Sequence, residues 1–305
     1  MSGIAASWLP DGRRLHLHHG PIDLIVSAEG AERNAALAAA VARFDGLLEG
    51  LVAELDVLRR PIGPMESPGV KHRAAPVPPP SGRALHAPPD GPGAALTKLN
   101  NPTAIRMIRA VAPFNDTFVT PMAAVAGSVA DEILMAMTEH HLTKATVNNG
   151  GDIAFHLTQG QTFRAVSPAG PVEISADNPA RGLATSGWRG RSHSLGIADA
   201  VTVVARTAAE ADVAATLIAN AVDLPDHPAI LRTPADTLAP DSDLGGRLVT
   251  TGVGALSEAE TNSALEGGTR VARQFLSRSL IHAATLTLNG KTCFVTHNQK
   301  ALTHA

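Results

Sequence analysis

Asp212, Thr216 and Asn220 stand at i, i+4 and i+8 of the alanine-rich stretch "TAAEADVAATLIANAVDL", so on a helix all three share one face. Aspartate is a poor residue for the middle of a helix, and the capping role is already taken by Thr207, with Glu210 in capping-box spacing. A carboxylate and a hydroxyl one turn apart suit a hard, oxygen-preferring cation such as Mg²⁺, which keeps waters and takes phosphate oxygens as further ligands. A polar stripe turned to solvent, with the other faces apolar, is the alternative.

Two further stretches hold chemistry-bearing groups. In "VNNGGDIAFHL", Asn149, Gly150, Gly151 and Asp152 interrupt two apparent strands. They read as a tight hairpin turn or as a bare-backbone cradle for a ligand, since glycine admits an approach that a Cβ would block. In "ATSGWRGRSHSLGIADAVTVVA", Thr185, Ser186 and Gly187 end a strand in small hydrogen-bonding groups, and Arg191, Ser192 and His193 follow. Arginine forks and hydroxyls beside glycines suit phosphate oxygens, although a plain hydrophilic loop has the same composition. His193 as a general base would need a partner that the sequence does not place. "DSDLGG", residues 241–246, reads as an Asx-turn capping a helix rather than a calcium loop. No Gly-x-Ser-x-Gly elbow, Walker loop or His-Glu-x-x-His is present.

The elements that must position these groups follow from periodicity. "RRLHLHHGPIDLIVSA" alternates apolar residues around a His-Gly-Pro break, a hairpin signal. Leu37, Val41, Phe44, Leu48, Leu51, Leu55 and Leu58 recur at spacings of three and four and predict one amphipathic helix over 31–60. Residues 61–92 are proline-rich and read as an irregular insertion inside a single domain spanning 1–305. Helices are expected at 102–111 and 121–140, the latter with proline in its first turn. Strands follow near 144–148, 152–157, 162–166, 172–175 and 199–206, then the helix carrying Asp212. A loop, "PADTLAPDSDLGGRLVT", precedes a helix near 256–279, and the chain closes in a hairpin on Asn-Gly. Hairpin connections broken by helices favour α+β architecture with a largely antiparallel sheet. One coarse echo recurs: "AVAGSVADEIL" and "EADVAATLIAN" are both small-residue helices with an aspartate in the middle.

Composition narrows the function classes. The 44% hydrophobic and 17% charged content is that of a folded chain. A formal charge of −3 and 3% aromatics, with no tyrosine, argue against nucleic acid and anionic membranes. Cys293 is the only cysteine, which excludes an internal disulfide and a zinc–thiolate cluster; it is expected to be a buried strand residue. The N-terminal stretch has no apolar signal core and no 20-residue apolar span occurs, so a cytoplasmic protein is expected.

Taken in order, "AGSVAD", "NNGGDI", "ATSG" and "ADVAAT" resemble the ApbE superfamily of FAD:protein FMN transferases. "RLHLHHGPIDLIV", "RSHSLGIADAVTV" and "PDSDLGGRLVT" bring the chain nearest to an ApbE-related cytosolic branch of bacterial and archaeal proteins. The resemblance implies an ApbE-like α+β fold related to the T-fold, a site for FAD as ligand or substrate, and Mg²⁺ bridging its pyrophosphate. Residue by residue, it assigns Asp212 and Thr216 to the metal, with the carbonyls near Val125 and Ala126 as main-chain ligands. Asn149, Gly150, Gly151 and Asp152 match its ligand turn, and Thr185, Ser186 and Gly187 its Thr-Ser-Gly loop.

The chain also departs from the family pattern. "SHSLGIADA" replaces the His-Ile-x-Asp-Pro-x-Thr-Gly segment, Ala126 stands before Gly127 in place of a Lys-Gly pair, and there is no lipoprotein signal. The metal motif is thus better kept than the transferase motif. The resemblance therefore implies either a Mg²⁺-dependent FAD pyrophosphatase or FMN transferase, with Asp212 and His193 as catalytic residues and Arg191 and Ser192 on phosphate, or a non-catalytic ligand-binding accessory protein. Methanogen relatives of the branch add a link to sulfide handling in homocysteine formation. Partners are a small-molecule ligand and, for a transferase, a protein acceptor that the sequence does not name; a homo-oligomer is compatible with either reading.

Overall fold

The computed structural model describes residues 3–62 and 91–297. The proline-rich insertion thus lies almost wholly outside the described residues. In chain order the strands are β1 (Ala5–Trp8), β2 (Leu15–His19), β3 (Ile22–Glu29), β4 (Lys144–Asn149), β5 (Asp152–Leu157), β6 (Thr162–Ser167), β7 (Gly170–Ser175), β8 (Gly182–Ser186), β9 (Ala200–Ala205), β10 (Ile230–Pro234), β11 (Leu248–Val253), β12 (Ala283–Leu288) and β13 (Lys291–Thr296). The helices are α1 (Arg33–Phe44), α2 (Leu47–Val52), α3 (Leu55–Leu58), α4 (Pro92–Leu96), α5 (Pro102–Val111), α6 (Val125–Met137), α7 (Ala208–Ala221), α8 (Ala235–Leu238) and α9 (Glu258–Ser277).

Nine strands form one sheet in the order β1-β2-β3-β4-β5-β8-β9-β12-β13, with every pairing antiparallel. Period-two alternation decides its faces. Leu24, Val26, Val147, Ala154, Ala184, Val201, Val203, Ala284 and Leu286 turn to one side, where α1, α6, α7 and α9 lie across the sheet in that order. Glycine and alanine at the contacts let the helices settle close. A Cβ at Gly182 would overlap the backbone of Thr207 and Ala208, so β8 runs directly under the start of α7. On the opposite face the β6–β7 hairpin covers Phe155, Leu157 and Leu183, with the Phe155 and Phe163 rings stacked 4.1 Å apart.

Two copies of one arrangement make up this frame. β2-β3-α1-α6-β4-β5 and β8-β9-α7-α9-β12-β13 each run strand, strand, helix, helix, strand, strand, with the four strands side by side in sequence order. The α6/α7 echo joins the halves, because these are the two helices that meet at their junction. Each half carries an insertion between its two helices: residues 45–124 in the first, and 222–257 with the β10–β11 hairpin in the second.

Several expectations are corrected. The helix expected over 31–60 is three helices, because Gly46 adopts φ 71° and breaks it after Phe44, although the leucine spacing runs through the break. The helix expected from 121 begins as a 3₁₀ turn, Pro121–Ala124, and becomes α-helical only at Val125. The "PADTLAPDSDLGGRLVT" loop holds α8 and reaches β11, so "DSDLGG" leads into a strand and caps no helix. Cys293 is half-buried rather than buried, on β13 opposite Leu286.

Candidate functional site

α7 starts where Thr207 accepts the Glu210 N–H, as the capping spacing predicts. Its polar stripe does not face solvent. Asp212, Thr216 and Asn220 line a cavity of about 280 Å³ at the junction of the two halves.

The entry of α6 explains why an aspartate sits in the middle of α7. A helix start leaves its first N–H groups without intrahelical partners, and α6 has no side-chain cap of its own. Asp212 supplies the missing acceptor: its Oδ2 takes the Gly127 N–H at 2.9 Å, and the Ala126 N–H also points to its carboxylate. The exchange is mutual. Asp131, in the middle of α6, accepts the Ala208 and Ala209 N–H groups at 3.0 and 2.9 Å at the start of α7. Gly127 permits this, since a Cβ there would overlap the Ala208 carbonyl.

The β4–β5 turn supplies the second acid. Gly150 and Gly151 take φ 65° and 116°, closing a two-residue turn that pairs Asn149 with Asp152. Asn149 is buried and donates its Nδ2 to the Ala126 carbonyl at 3.1 Å, tying the turn to the start of α6. Asp152 then faces Asp212 across the cavity. Burial first, opposed by the Thr185 N–H and by Arg191, pushes Asp152 up to about 7. Burial and then the Asp152 charge hold Asp212 well above the usual carboxylate range. Asp131 is pushed up to about 6, chiefly by burial.

Segment 187–199 forms the opposite wall. Asp199 fixes its base, accepting from Trp188 Nε1, Arg189 Nε and the Asn289 N–H. Asn220 fixes its far end through the Ser194 hydroxyl and the Leu195 N–H. Between these anchors Arg191, Ser192 and His193 are exposed and line the cavity. The Arg191 guanidinium rests on Gly150 where a side chain would be. His193 has no hydrogen-bonded partner among the described residues, so no general base is oriented there. Phe118, Val119, Met122, Leu195, Leu217 and Leu244 give the cavity its apolar side.

Of the residues singled out from sequence, Asp152, Ser186, Arg191, Ser192, His193, Asp212 and Thr216 line the cavity. Asn149, Gly150, Gly151, Thr185 and Gly187 stand behind that wall. The Thr185 hydroxyl pairs with Thr202 on the face of the sheet away from the helices, and only its N–H reaches Asp152. Gly187 is needed because a Cβ would overlap the Ala198 and Asp199 carbonyls.

Sequence reasoning missed Asp131, although the echo between the two helices pointed to it. It also missed Thr120, which hydrogen-bonds across the cavity rim to Asp243 from the other insertion. Asp243 lies in the "DSDLGG" stretch, which sequence reasoning singled out but read as an Asx-turn and did not bring to this cavity. Among the described residues no group of three or more His, Cys, Asp or Glu side chains is arranged to hold a metal. A cation here would have the two carboxylates, the Thr216 hydroxyl and main-chain oxygen as protein ligands, a hard-oxygen set that fits Mg²⁺ with its remaining waters.

Residues 6–77 and 83–294 match the profile of the family described as "AbpE bacteria". The chain belongs to this family. Proteins named UPF0280 are similar to it over shorter stretches: that of Methanothrix thermoacetophila is 38% identical over 127 residues, 40% of this chain and 52% of the relative. That of Methanothermobacter thermautotrophicus is 40% identical over 115 residues, 35% of this chain and 44% of the relative. The chain spans about half the length of the curated relatives it matches. The apo crystal structure of Pseudomonas stutzeri flavinyl transferase ApbE covers 97% of both chains at 12% identity, with a TM-score of 0.43, too low to carry weight. No helix among the described residues is long and apolar enough to cross a membrane.

Proposed function

We propose that this family member binds a flavin dinucleotide, or a similar pyrophosphate ligand, through a divalent cation at the junction of its two halves, and cleaves the pyrophosphate there. The observation that carries the reading is the pair Asp152 and Asp212, two facing carboxylates both pushed above their ordinary range in one cavity. Carboxylates held this way gain from a cation that neutralises both.

Asp212 and Thr216 would hold the ion on one turn spacing, and the Asp212 cap to α6 fixes that carboxylate in place. When bound, the ion supplies Lewis acidity and a template for phosphate oxygens. Arg191 and the Ser186 and Ser192 hydroxyls offer donors to the same oxygens from the opposite wall, and the apolar side admits a ring. The Asn149–Ala126 tie keeps the ligand turn in register with the start of α6.

A second reading, ligand binding without turnover, is favoured by the exposed, unpartnered His193 and by the lost His/Asp-Pro segment. Cys293 lies outside the cavity lining, which gives the sulfide-handling reading no thiol at this site.

The deciding experiment is AMP release from FAD by wild type and Asp212→Ala, with Mg²⁺ and with chelator. Release that needs Mg²⁺ and falls at least about 100-fold in the variant supports cleavage, a loss of roughly 3 kcal/mol of transition-state stabilisation. Equal release without metal sinks the mechanism. Tight FAD binding without release under any cation selects the second reading.

A further inference from the structure

Arg191 stands out among the charged groups of the cavity. Its side chain is exposed on the short stretch between the Asp199 and Asn220 anchors, and it makes no hydrogen bond or ion pair to a described residue. Yet its guanidinium sits against Gly150, in the place a Cβ there would take, at the turn that presents Asp152. Gly150 holds φ 65°, where a side chain is disfavoured, and any Cβ would occupy the guanidinium's place. The turn therefore leaves a seat for Arg191 rather than for a residue of its own. Arg191 is the cation beside Asp152 there, and its positive charge favours the ionised carboxylate.

We infer that Arg191 is an exchangeable counter-ion of the site. It screens Asp152 while no divalent ion is bound, and moves from Gly150 to the anionic part of the ligand once the ion has arrived. The inference rests on the cation-dependent binding proposed above and adds the order of events. The seat on Gly150 is made by shape and charge alone, so leaving it breaks no hydrogen bond. The anchors at Asp199 and Asn220 do not have to move, because they lie on either side of the exposed stretch. Arg191 thus competes with the ion in the empty site and assists the anion in the filled one.

These two roles have opposite signs in one variant. Free Mn²⁺ measured by electron paramagnetic resonance gives the affinity for the ion alone, and quenching of flavin fluorescence at saturating Mn²⁺ gives that for FAD. Arg191→Ala is expected to bind Mn²⁺ alone about threefold to tenfold more tightly than wild type, yet to bind FAD about tenfold more weakly. Arg191→Lys, which keeps the charge but not the planar fork, is expected to restore the wild-type Mn²⁺ affinity and only part of the FAD affinity. Both affinities moving in the same direction, or an unchanged Mn²⁺ affinity, would overturn the inference while leaving cation-dependent binding intact. Wild type that binds no Mn²⁺ at all would overturn both. Matching thermal melts of the three proteins keep a folding defect from imitating either result.

Discussion

The two halves of the molecule end in the same turn with opposite contents. In the first half Asn149 pairs with Asp152 around Gly150-Gly151; in the second Leu288 pairs with Lys291 around Asn289-Gly290. All four turn residues have positive φ. Register places Asp152 and Lys291 at equivalent positions. Lys291 is answered locally, since Glu258 and Asn262 of α9 both accept from its ammonium. Glu258 is accordingly held below its ordinary pKa by that hydrogen bond. Asp152 is pushed up instead, facing a second acid.

The helices over the two turns differ in the same sense. α9 begins with its own capping box, Ser257 with Glu260, whereas α6 begins without a side-chain cap and borrows Asp212 from the other half. One junction is satisfied from within and is structural. The other borrows its cap from the opposite half and sets two acids face to face, a local inconsistency of the kind expected where a chain is shaped for function.

The largest expected contrast comes from the acid of the first turn. Asp152 has a native pKa of about 7 against an ordinary value of 3.8, so the native state holds a proton that the unfolded chain releases. As pH rises from about 4 through 7, wild type loses stability that Asp152→Asn keeps. The variant is expected to be more stable by up to roughly 4 kcal/mol at pH 8 and close to wild type at pH 4, in urea melts across that range. It should also lose at least about tenfold in FAD affinity with Mg²⁺. A variant that gains stability without losing affinity would separate Asp152 from the site.

Glycine substitutions sharpen the comparison next. Gly150→Ala and Gly290→Ala both force alanine into positive φ, costing roughly 1–2 kcal/mol each by thermal denaturation. Only Gly150→Ala also evicts Arg191 from its seat in the empty site, so only that variant should bind Mn²⁺ alone more tightly, by several-fold. Equal effects on binding would make the two turns alike.

The smallest effect belongs to the exposed ion pair. Lys291→Ala is expected to cost under about 0.5 kcal/mol and leave FAD binding unchanged by titration, as a solvent-screened pair should. A larger loss would mean the second turn is more than a closed hairpin.

The fold was legible wherever periodicity and punctuation agreed. Thr207 and the alanine run mark α7, Asn101 and Pro102 open α5, and Asn289-Gly290 marks the last hairpin. It was not legible where the two diverged. Leucine spacing carries on from Phe44 to Leu48 while Gly46 turns the chain, because a period reports a buried face and not a backbone dihedral. β1 is four exposed residues, too short to show alternation, and it is set by pairing with β2.

The site divides along the same line. Asp212 and Thr216 share one helix, so spacing alone brought them together. The meeting of Asp212 with Asp152 and the cap it gives to Gly127 are contacts between distant segments, which no local spacing records.

The measurement that tests the central claim most directly is FAD affinity, by flavin fluorescence, for wild type and Asp212→Ala in Mg²⁺ and in chelator. The account predicts that wild type binds at least about tenfold more weakly in chelator, and that the variant binds weakly in both. Wild-type affinity that is the same with and without the ion would contradict a cation-dependent site at the junction of the halves.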